Sequence, residues 1–157
     1  MKSNKSGFGL VEIIIAFAII VSTVAAMSGV FRFYLALSRV AAEKTQAAVL
    51  LEEGAEALLL IRDTGWAAHI APLSSGADYY LYWNGFAYEA TTSPAIIASR
   101  YKRLFRTAPT YRDAEDSLAD AGAEDLGTRR VFMRVVRAAD ERTLASAELL
   151  LNNLYDN

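Results

Sequence analysis

The chain has 157 residues, 54% of them hydrophobic and 22% charged, which excludes a disordered or collagen-like polypeptide and fits one domain better than two. It contains no cysteine, so disulfides, zinc–thiolate sites and a cysteine nucleophile are excluded. Sixteen basic and eighteen acidic residues give a net charge of −2, which argues against a general polyanion binder.

The first predicted element is an apolar helix that follows a short polar segment. Lys2 and Lys5 lie in the polar segment, and the stretch from Ile13 to Phe31 contains 19 residues without a charge. At about 1.5 Å per residue this stretch spans roughly 28 Å, which is enough to cross a bilayer as a helix. The two lysines favour an N-terminus on the cytoplasmic side.

A cleaved secretory signal is the alternative interpretation of this stretch, with Ala25-Ala26-Met27-Ser28 as the cleavage site. Glu12 argues against that interpretation, because an acidic residue in a membrane helix costs about 2.5–3.5 kcal/mol at mid-helix and less near the interface. A plain signal or anchor gains nothing from this cost. No cation follows Glu12 within the next nineteen residues.

Gly7 followed by Phe8-Gly9-Leu10-Val11-Glu12 and the apolar stretch resembles the leader junction of type IV pilins and pseudopilins. In that family a prepilin peptidase cleaves after the glycine on the cytoplasmic side and methylates the new N-terminal phenylalanine. The resemblance therefore implies cleavage between Gly7 and Phe8, methylation of Phe8, and a filament-assembly role for Glu12. Gly9 departs from the threonine that many members carry at this position.

The role of Glu12 also has an electrostatic basis. Cleavage would expose the α-amino group of Phe8 where the apolar helix begins, and in a bundle of such helices Glu12 of one subunit can face the amine of another. Opposite charges about 4 Å apart interact by roughly 4 kcal/mol at an effective dielectric of 20, against about 1 kcal/mol in water. A carboxylate without its partner is poorly solvated, so we predict that this pairing sets the axial register of the subunits.

The helix is predicted to continue past the apolar stretch, because no proline occurs between Phe8 and Asp63. In the segment 47–62 apolar residues recur at three- and four-residue spacings, which predicts one buried face; they are Val49, Leu50, Leu58 and Ile61. Gly29 and Gly54 each cost up to about 1 kcal/mol relative to alanine. Two roles stay open for Gly29, loosening of the helix on assembly and close helix packing.

The C-terminal half is predicted to form a sheet. Asn84-Gly85 between two aromatic-rich segments predicts a hairpin with a type I′ turn. Further strands are predicted at 100–110, 130–138 and 144–151 from their period-two alternation. One face of the second of these carries Val131, Met133 and Val135, and in the last strand Leu149 and Leu151 are in phase.

The predicted fold class is α+β, with a long N-terminal helix packed on a roughly four-stranded antiparallel sheet. The first half of the helix is predicted to be transmembrane and the second half amphipathic. The predicted organisation is a leader peptide at 1–7, a transmembrane or filament-core helix at 8–35, its amphipathic half at 36–66 and a sheet domain at 67–157. The pilin resemblance implies the same architecture.

The sequence offers few candidates for catalysis or metal binding. His69 is the only histidine, and no serine or cysteine motif accompanies it, so we expect a surface or capping residue. An acidic segment at 113–125 could be a calcium site or a solvated connector, and the connector is favoured because the segment lacks the spacing of an EF-hand loop. The carboxylates of this segment are Asp113, Glu115, Asp116, Asp120, Glu124 and Asp125. We therefore predict no enzymatic activity, no cofactor and no metal.

Nine basic residues fall on two predicted strands or their ends, interleaved with aromatic residues. Such a pattern can hold DNA, but alternation is expected to place the aromatics in the core and the cations in water, beside the acidic connector that neutralises them. DNA is therefore the disfavoured partner. The cations are Arg100, Lys102, Arg103, Arg106, Arg112, Arg129, Arg130, Arg134 and Arg137.

The sequence predicts a structural subunit, and the pilin resemblance implies a minor pilin-like protein of a type IV pilus or a type II secretion-like pseudopilus. The partners implied are homologous pilin subunits, the prepilin peptidase, an inner-membrane assembly platform and, before assembly, membrane lipid. The implied location is the cytoplasmic (inner) membrane, single-pass with the N-terminus inside, and then an extracellular pilus or an envelope-spanning pseudopilus. The alternative is a membrane-anchored module that binds DNA or a surface through the basic sheet face.

Overall fold

The computed structural model describes residues 9–155. The chain divides into two compact units, Met1–Ala42 and Glu43–Asn157. Two helices are present in the described part, α1 (Leu10–Thr64) and α2 (Trp66–His69). The strands described are β1 (Tyr79–Trp83), β2 (Tyr88–Thr91), β3 (Ile96–Ile97), β4 (Tyr101–Arg112), β5 (Leu118–Ala119), β6 (Ala123–Arg137) and β7 (Thr143–Asn152).

Helix α1 contributes to both units and has 55 residues. Its first turn is joined to Gly9, whose carbonyl oxygen accepts hydrogen bonds from the backbone N–H groups of Glu12 and Ile13 at 3.0 and 3.4 Å. The helix is long and apolar enough to cross a membrane by length and composition. The prediction of one long helix is confirmed. The helix is continuous because nothing in this stretch of alanine and aliphatic residues interrupts its backbone hydrogen bonds.

In the second unit α1 buries one face. Ala47, Gly54, Ala57, Leu58 and Ile61 are buried, at the three- and four-residue spacings of a helical stripe. The predicted amphipathic pattern is therefore confirmed for Leu58 and Ile61. It is wrong for Val49, which is 58% exposed.

The seven strands described form one antiparallel sheet, with the order β2-β1-β4-β6-β7 and with β3 and β5 paired to β4. The longest pairing joins β4 to β6, for example Phe105 to Met133 and Thr107 to Val131. The predicted α+β layout, a long helix on an antiparallel sheet, is confirmed. The sheet has more strands than the four expected, because two-residue strands such as β3 leave no alternation pattern in a sequence.

The core of the second unit lies between α1 and the face of the central strands that carries their odd-numbered residues. Leu58 and Ile61 of α1 belong to the same buried cluster as Phe105, Val131 and Met133. A second cluster joins Ala47, Tyr101 and Val135. The shared face that alternation predicts for β6 is thus confirmed by Val131, Met133 and Val135, which are all buried.

The hairpin between β1 and β2 differs from the predicted two-residue turn. Trp83 pairs with Tyr88, so four residues (84–87) form the loop. Asn84 Oδ1 accepts hydrogen bonds from the N–H groups of Phe86 and Ala87, each at 2.9 Å. Because the Asn84 side chain organises the loop as a local cap, only Gly85 takes a positive φ, at 100°.

Most of the acidic segment is exposed, as expected of a solvated connector, but parts of it form strands. Strand β5 lies within it, and β6 begins at Ala123, before Glu124 and Asp125. Asp113 Oδ1 accepts hydrogen bonds from the backbone N–H groups of Glu115 and Ser117. Local side-chain caps and short pairings thus hold a segment that composition alone presents as a loop.

Candidate functional site

The first candidate site is the exposed apolar part of α1 in the first unit, residues 10–42. Every residue from Gly9 to Ala42 is exposed. Large apolar side chains dominate this surface; Ile14 is 57% exposed and Phe17 67% exposed. Exposed apolar surface of this extent marks an interface with lipid or with other protein.

The hydroxyl groups in the apolar segment find partners within the helix itself. Ser22 Oγ and Thr23 Oγ1 both donate to the carbonyl oxygen of Ile19, at 2.9 and 2.8 Å. Ser28 Oγ donates to the carbonyl oxygen of Val24 at 2.8 Å. These bonds lower the cost of placing the hydroxyls in a surrounding without water.

Glu12 lies in the first turn of α1, where the positive end of the helix dipole favours a carboxylate. Its side chain is exposed, and in the part of the chain that is described it makes no ion pair. Gly7 and Phe8, the predicted cleavage and methylation residues, lie outside the described residues. The helix therefore presents one carboxylate at the start of a surface that carries no further charge before Arg32.

A second site of interest is a polar cluster between α1 and the sheet, centred on Arg103. This side chain is 2% exposed and on the same strand face as Tyr101 and Phe105. Arg103 Nη1 donates to the carbonyl oxygen of Leu50 at 3.0 Å and lies 3.3 Å from Glu53 Oε1. The expectation that the strand cations all point to water is wrong for this arginine.

Tyr88 completes this cluster. Its hydroxyl donates to Glu53 Oε1 at 2.5 Å, and the Arg103 guanidinium lies 5.6 Å from the centre of its ring. The hydrogen bond from Tyr88, followed by the charge of Arg103, lowers the pKa of Glu53 below its ordinary value, while the same hydrogen bond raises the pKa of Tyr88. The cluster ties α1 to β2 and β4 through charge-assisted hydrogen bonds.

Gly54 is what lets α1 approach this cluster. A Cβ atom at Gly54 would lie 2.6 Å from Arg103 Cδ and 2.8 Å from Met133 Sδ. At Gly29, in the first unit, a Cβ would meet no atom within 4 Å. Close approach is therefore a requirement at Gly54, whereas Gly29 meets no such limit within its own chain.

Glu43, the first residue of the second unit, is held by Arg137 of β6. Arg137 Nε and Nη2 donate to the two carboxylate oxygens at 2.8 and 2.5 Å. This hydrogen bonding, with the nearby charges of Arg100 and Arg142, lowers the pKa of Glu43 below its ordinary value and raises the pKa of Arg137. The pair joins α1 to β6 at the start of the second unit.

We predict that the second unit loses stability in acid and that Glu43 contributes to the loss. The pKa of the Glu43 carboxyl is lower in the folded chain than in the unfolded chain, where it is about 4.3. Such a carboxylate stabilises the fold above the unfolded pKa, and this stabilisation is lost as pH falls through the lowered pKa of the folded state. The melting temperature is measured on the full chain in detergent by near-ultraviolet circular dichroism. Compared with the unchanged chain, Glu43→Gln should have a lower melting temperature at pH 7 and a smaller fall in melting temperature between pH 6 and 3. An unchanged acid slope would contradict the prediction; Glu115→Gln, in an exposed loop, is the control.

The basic residues of the sheet are mostly paired with carboxylates. Asp78 accepts two hydrogen bonds from Arg106, at 2.5 and 2.9 Å, and lies 3.5 Å from Arg134. Arg130 pairs with Glu148, and Lys102 forms an ion pair with Glu141. Since these pairs neutralise most of the nine cations, the sheet face offers little free positive charge for DNA.

The acidic segment shares in this pairing. Arg112 Nε donates to Asp125 Oδ2 at 2.7 Å, and hydrogen bonds from Thr128 and Arg112 lower the pKa of Asp125 below its ordinary value. Glu124 pairs with Arg129 at 2.9 Å. Within residues 9–155 no group of three or more histidine or acidic side chains could hold a metal ion. His69, as expected, is exposed at the end of α2.

Comparisons of this chain with protein-family models, with curated proteins and with solved structures find no match.

Proposed function

We propose that this chain is the structural subunit of a type IV pilus or a type II secretion-like pseudopilus. It is made as a membrane-anchored precursor, cleaved after Gly7, methylated at Phe8 and assembled into a helical filament through its apolar helix. The observation that carries the proposal is the exposed apolar surface of α1 in the first unit. Its single carboxylate, that of Glu12, lies in the first turn of the helix.

The apolar surface serves two successive surroundings in this proposal. In the membrane it contacts lipid, and in the filament it contacts the same surface of other subunits. Both surroundings lack water, so the transfer between them does not expose the apolar side chains, and the internally bonded hydroxyls of Ser22, Thr23 and Ser28 need no new partners. An energy-consuming assembly platform in the inner membrane supplies the extraction.

Glu12 supplies the specificity that apolar contact lacks. Apolar helices slide past one another at little cost, because each register buries similar surface. In one register the carboxylate of Glu12 meets the α-amino group of Phe8 on a neighbouring subunit. Every other register is less favourable, since it leaves a charge unpaired in a surrounding of low dielectric. The filament is thereby restricted to one axial stagger of its subunits.

Mass spectrometry of the mature N-terminus tests the proposal. We expect protein from the native host to begin at Phe8 and to carry one methyl group on its amine. Coexpression with a prepilin peptidase in a heterologous host should give the same product, and peptidase-free cells should retain Met1 to Gly7. A mature chain that begins near Ser28, as a cleaved secretory signal would leave it, contradicts the proposal.

A further inference from the structure

Strand β7 forms one edge of the sheet, and one side of its backbone faces away from the neighbouring strand. Just past its end, the backbone N–H of Asn153 donates to the carbonyl oxygen of Gly127 at 2.7 Å, in the register of the β6–β7 ladder. Residues of an antiparallel strand alternate between hydrogen-bonded and non-hydrogen-bonded pairs. The backbone N–H and C=O groups of Ser146, Glu148 and Leu150 therefore point away from β6.

This edge is long and carries few of the features that protect sheet edges. Within residues 9–155 β7 pairs with β6 alone. It has ten residues with neither proline nor lysine, and the irregularity in its pairing lies at its start, opposite Val135 and Val136. The opposite edge, β2, has four residues. A long row of outward backbone donors and acceptors is a template for pairing with another extended chain.

A groove of about 500 Å3 lies on the outer face of the sheet beside this edge. Phe132 and Arg134 of β6 line it, together with Arg106 of β4 and with Ser146 and Glu148 of β7. Phe132 is 43% exposed, so the groove has an apolar part that is open to a partner. The groove and the edge are continuous, because Ser146 and Glu148 belong to both.

Positive charge exceeds negative charge in and around this groove. Arg106 and Arg134 share one carboxylate, that of Asp78, which accepts two hydrogen bonds from Arg106 and lies 3.5 Å from Arg134. The carboxylate of Glu148 pairs instead with Arg130, at 3.3 Å. Three guanidinium groups thus face two carboxylates, and one further carboxylate in the groove would give Arg134 a partner of its own.

We propose that β7 binds an extended segment of another polypeptide chain, which joins the sheet as an antiparallel strand and places an acidic side chain opposite Ser146. Arg134 is paired with Ser146 across the β6–β7 ladder, so the acidic side chain and Arg134 lie on the same face, one on each side of a small serine. Two strand spacings separate their Cα atoms by about 10 Å, which an arginine and a glutamate side chain span together.

The same register gives the partner strand a second requirement. Leu150 is 42% exposed on the outer face of β7, so the residue opposite it is expected to be apolar. The partner is therefore an extended segment with an apolar residue followed four positions later by an acidic one. The filament proposal concerns contacts of α1 and does not use this edge, so the two proposals stand or fall separately.

A synthetic peptide tests this inference, labelled with a fluorophore and with the sequence Val-Thr-Thr-Val-Glu-Thr-Thr. Its first valine is designed to lie opposite Leu150 and its glutamate opposite Ser146. The full chain in a maltoside detergent is titrated into the peptide, and fluorescence anisotropy is recorded. We expect a saturable rise with a Kd below about 100 μM. The peptide with glutamine in place of glutamate should bind about three- to fivefold more weakly. The absence of a saturable rise would overturn the proposal.

Backbone methylation of the peptide separates strand pairing from other kinds of contact. The N–H group of the glutamate is designed to point towards β7, whereas that of the valine before it, opposite Ala147, points away. N-methylation of the glutamate should abolish binding, and N-methylation of that valine should leave the Kd nearly unchanged. Equal affinities of the two methylated peptides would contradict the addition of a strand.

Matched variants of the chain locate the site. Arg134→Gln should weaken binding of the glutamate peptide about three- to fivefold and leave binding of the glutamine peptide unchanged. Arg39→Gln, with the same change in charge in the first unit, should alter neither, and circular dichroism confirms that both variants are folded. An equal loss for both peptides in Arg134→Gln would contradict the pairing of Arg134 with the acidic side chain.

Hydrogen exchange and sedimentation complete the test. The backbone amides of Ser146, Glu148 and Leu150 should exchange quickly in the free chain and slowly with the peptide bound, while that of Ala147 should be protected in both. Fast exchange that persists in the bound state would overturn the proposal. A second copy of the chain is the other candidate for the edge, and a dimer in sedimentation velocity that excludes the peptide would likewise overturn it.

Discussion

Replacement of Glu12 by valine is expected to leave the chain in the membrane and to remove it from the filament. The substitution takes a charge out of an apolar helix, so membrane insertion becomes no less favourable. It also removes the group that we propose pairs with the α-amino group of a neighbouring subunit. If that pair contributes only 1.4 kcal/mol of the roughly 4 kcal/mol available at low dielectric, the association constant falls about tenfold.

The measurement compares filament and membrane fractions from cells that express the variant. We expect at least a tenfold fall of the subunit in sheared filaments, with an unchanged amount in the membrane and normal cleavage after Gly7. Glu12→Gln keeps the shape and polarity of the side chain but not its charge, so it should fail as valine does. Glu115→Val, in an exposed loop, should assemble normally. Normal incorporation of the Glu12→Val chain would refute the role of Glu12.

Glu12 stands out in the sequence because its signal is local, and its role in assembly stays a prediction. A single charge at the start of an uncharged run is visible without any knowledge of the fold. The same holds for α1 itself, since the absence of proline and the spacing of Leu58 and Ile61 are properties of neighbouring residues. The alternating face of β6 is local in the same sense.

Features that depend on distant residues could not be predicted in this way. Arg103 is in phase with Tyr101 and Phe105, which is the available signal for its burial, but its charge argues for the opposite face. The space it occupies is created by Gly54 on α1. The pair between Glu43 and Arg137 joins residues 94 positions apart, and no spacing rule connects them.

Substitution of Gly54 by alanine is expected to destabilise the second unit, although alanine is the better helix former. The new Cβ would lie 2.6 Å from Arg103 Cδ and 2.8 Å from Met133 Sδ, both closer than van der Waals contact. Neither neighbour moves freely, because Arg103 is anchored to the Leu50 carbonyl and Met133 is 1% exposed. Overpacking of this kind costs about 1–3 kcal/mol, against a helix-propensity gain of up to about 1 kcal/mol.

Gly29→Ala is the matched control, since it makes the same change in the same helix where the Cβ meets open space. Thermal unfolding of the full chain in detergent, followed by near-ultraviolet circular dichroism, should show a lower melting temperature for Gly54→Ala, by a net loss of about 1–2 kcal/mol. Gly29→Ala should leave the melting temperature of the sheet unit unchanged. Equal melting temperatures for the two variants would contradict the close approach at Gly54.

A double-mutant cycle then assigns the cost to a particular contact. Of the three atoms nearest the added Cβ, Arg103→Ala removes two, Arg103 Cδ and Nε, and leaves Met133 Sδ. The cost of Gly54→Ala should therefore be smaller in the Arg103→Ala background, with a coupling energy of about 0.5–3 kcal/mol. Additive effects would mean that α1 shifts away from the sheet as a whole, and the bond from Arg103 to the Leu50 carbonyl would then not be what holds the helix at this distance.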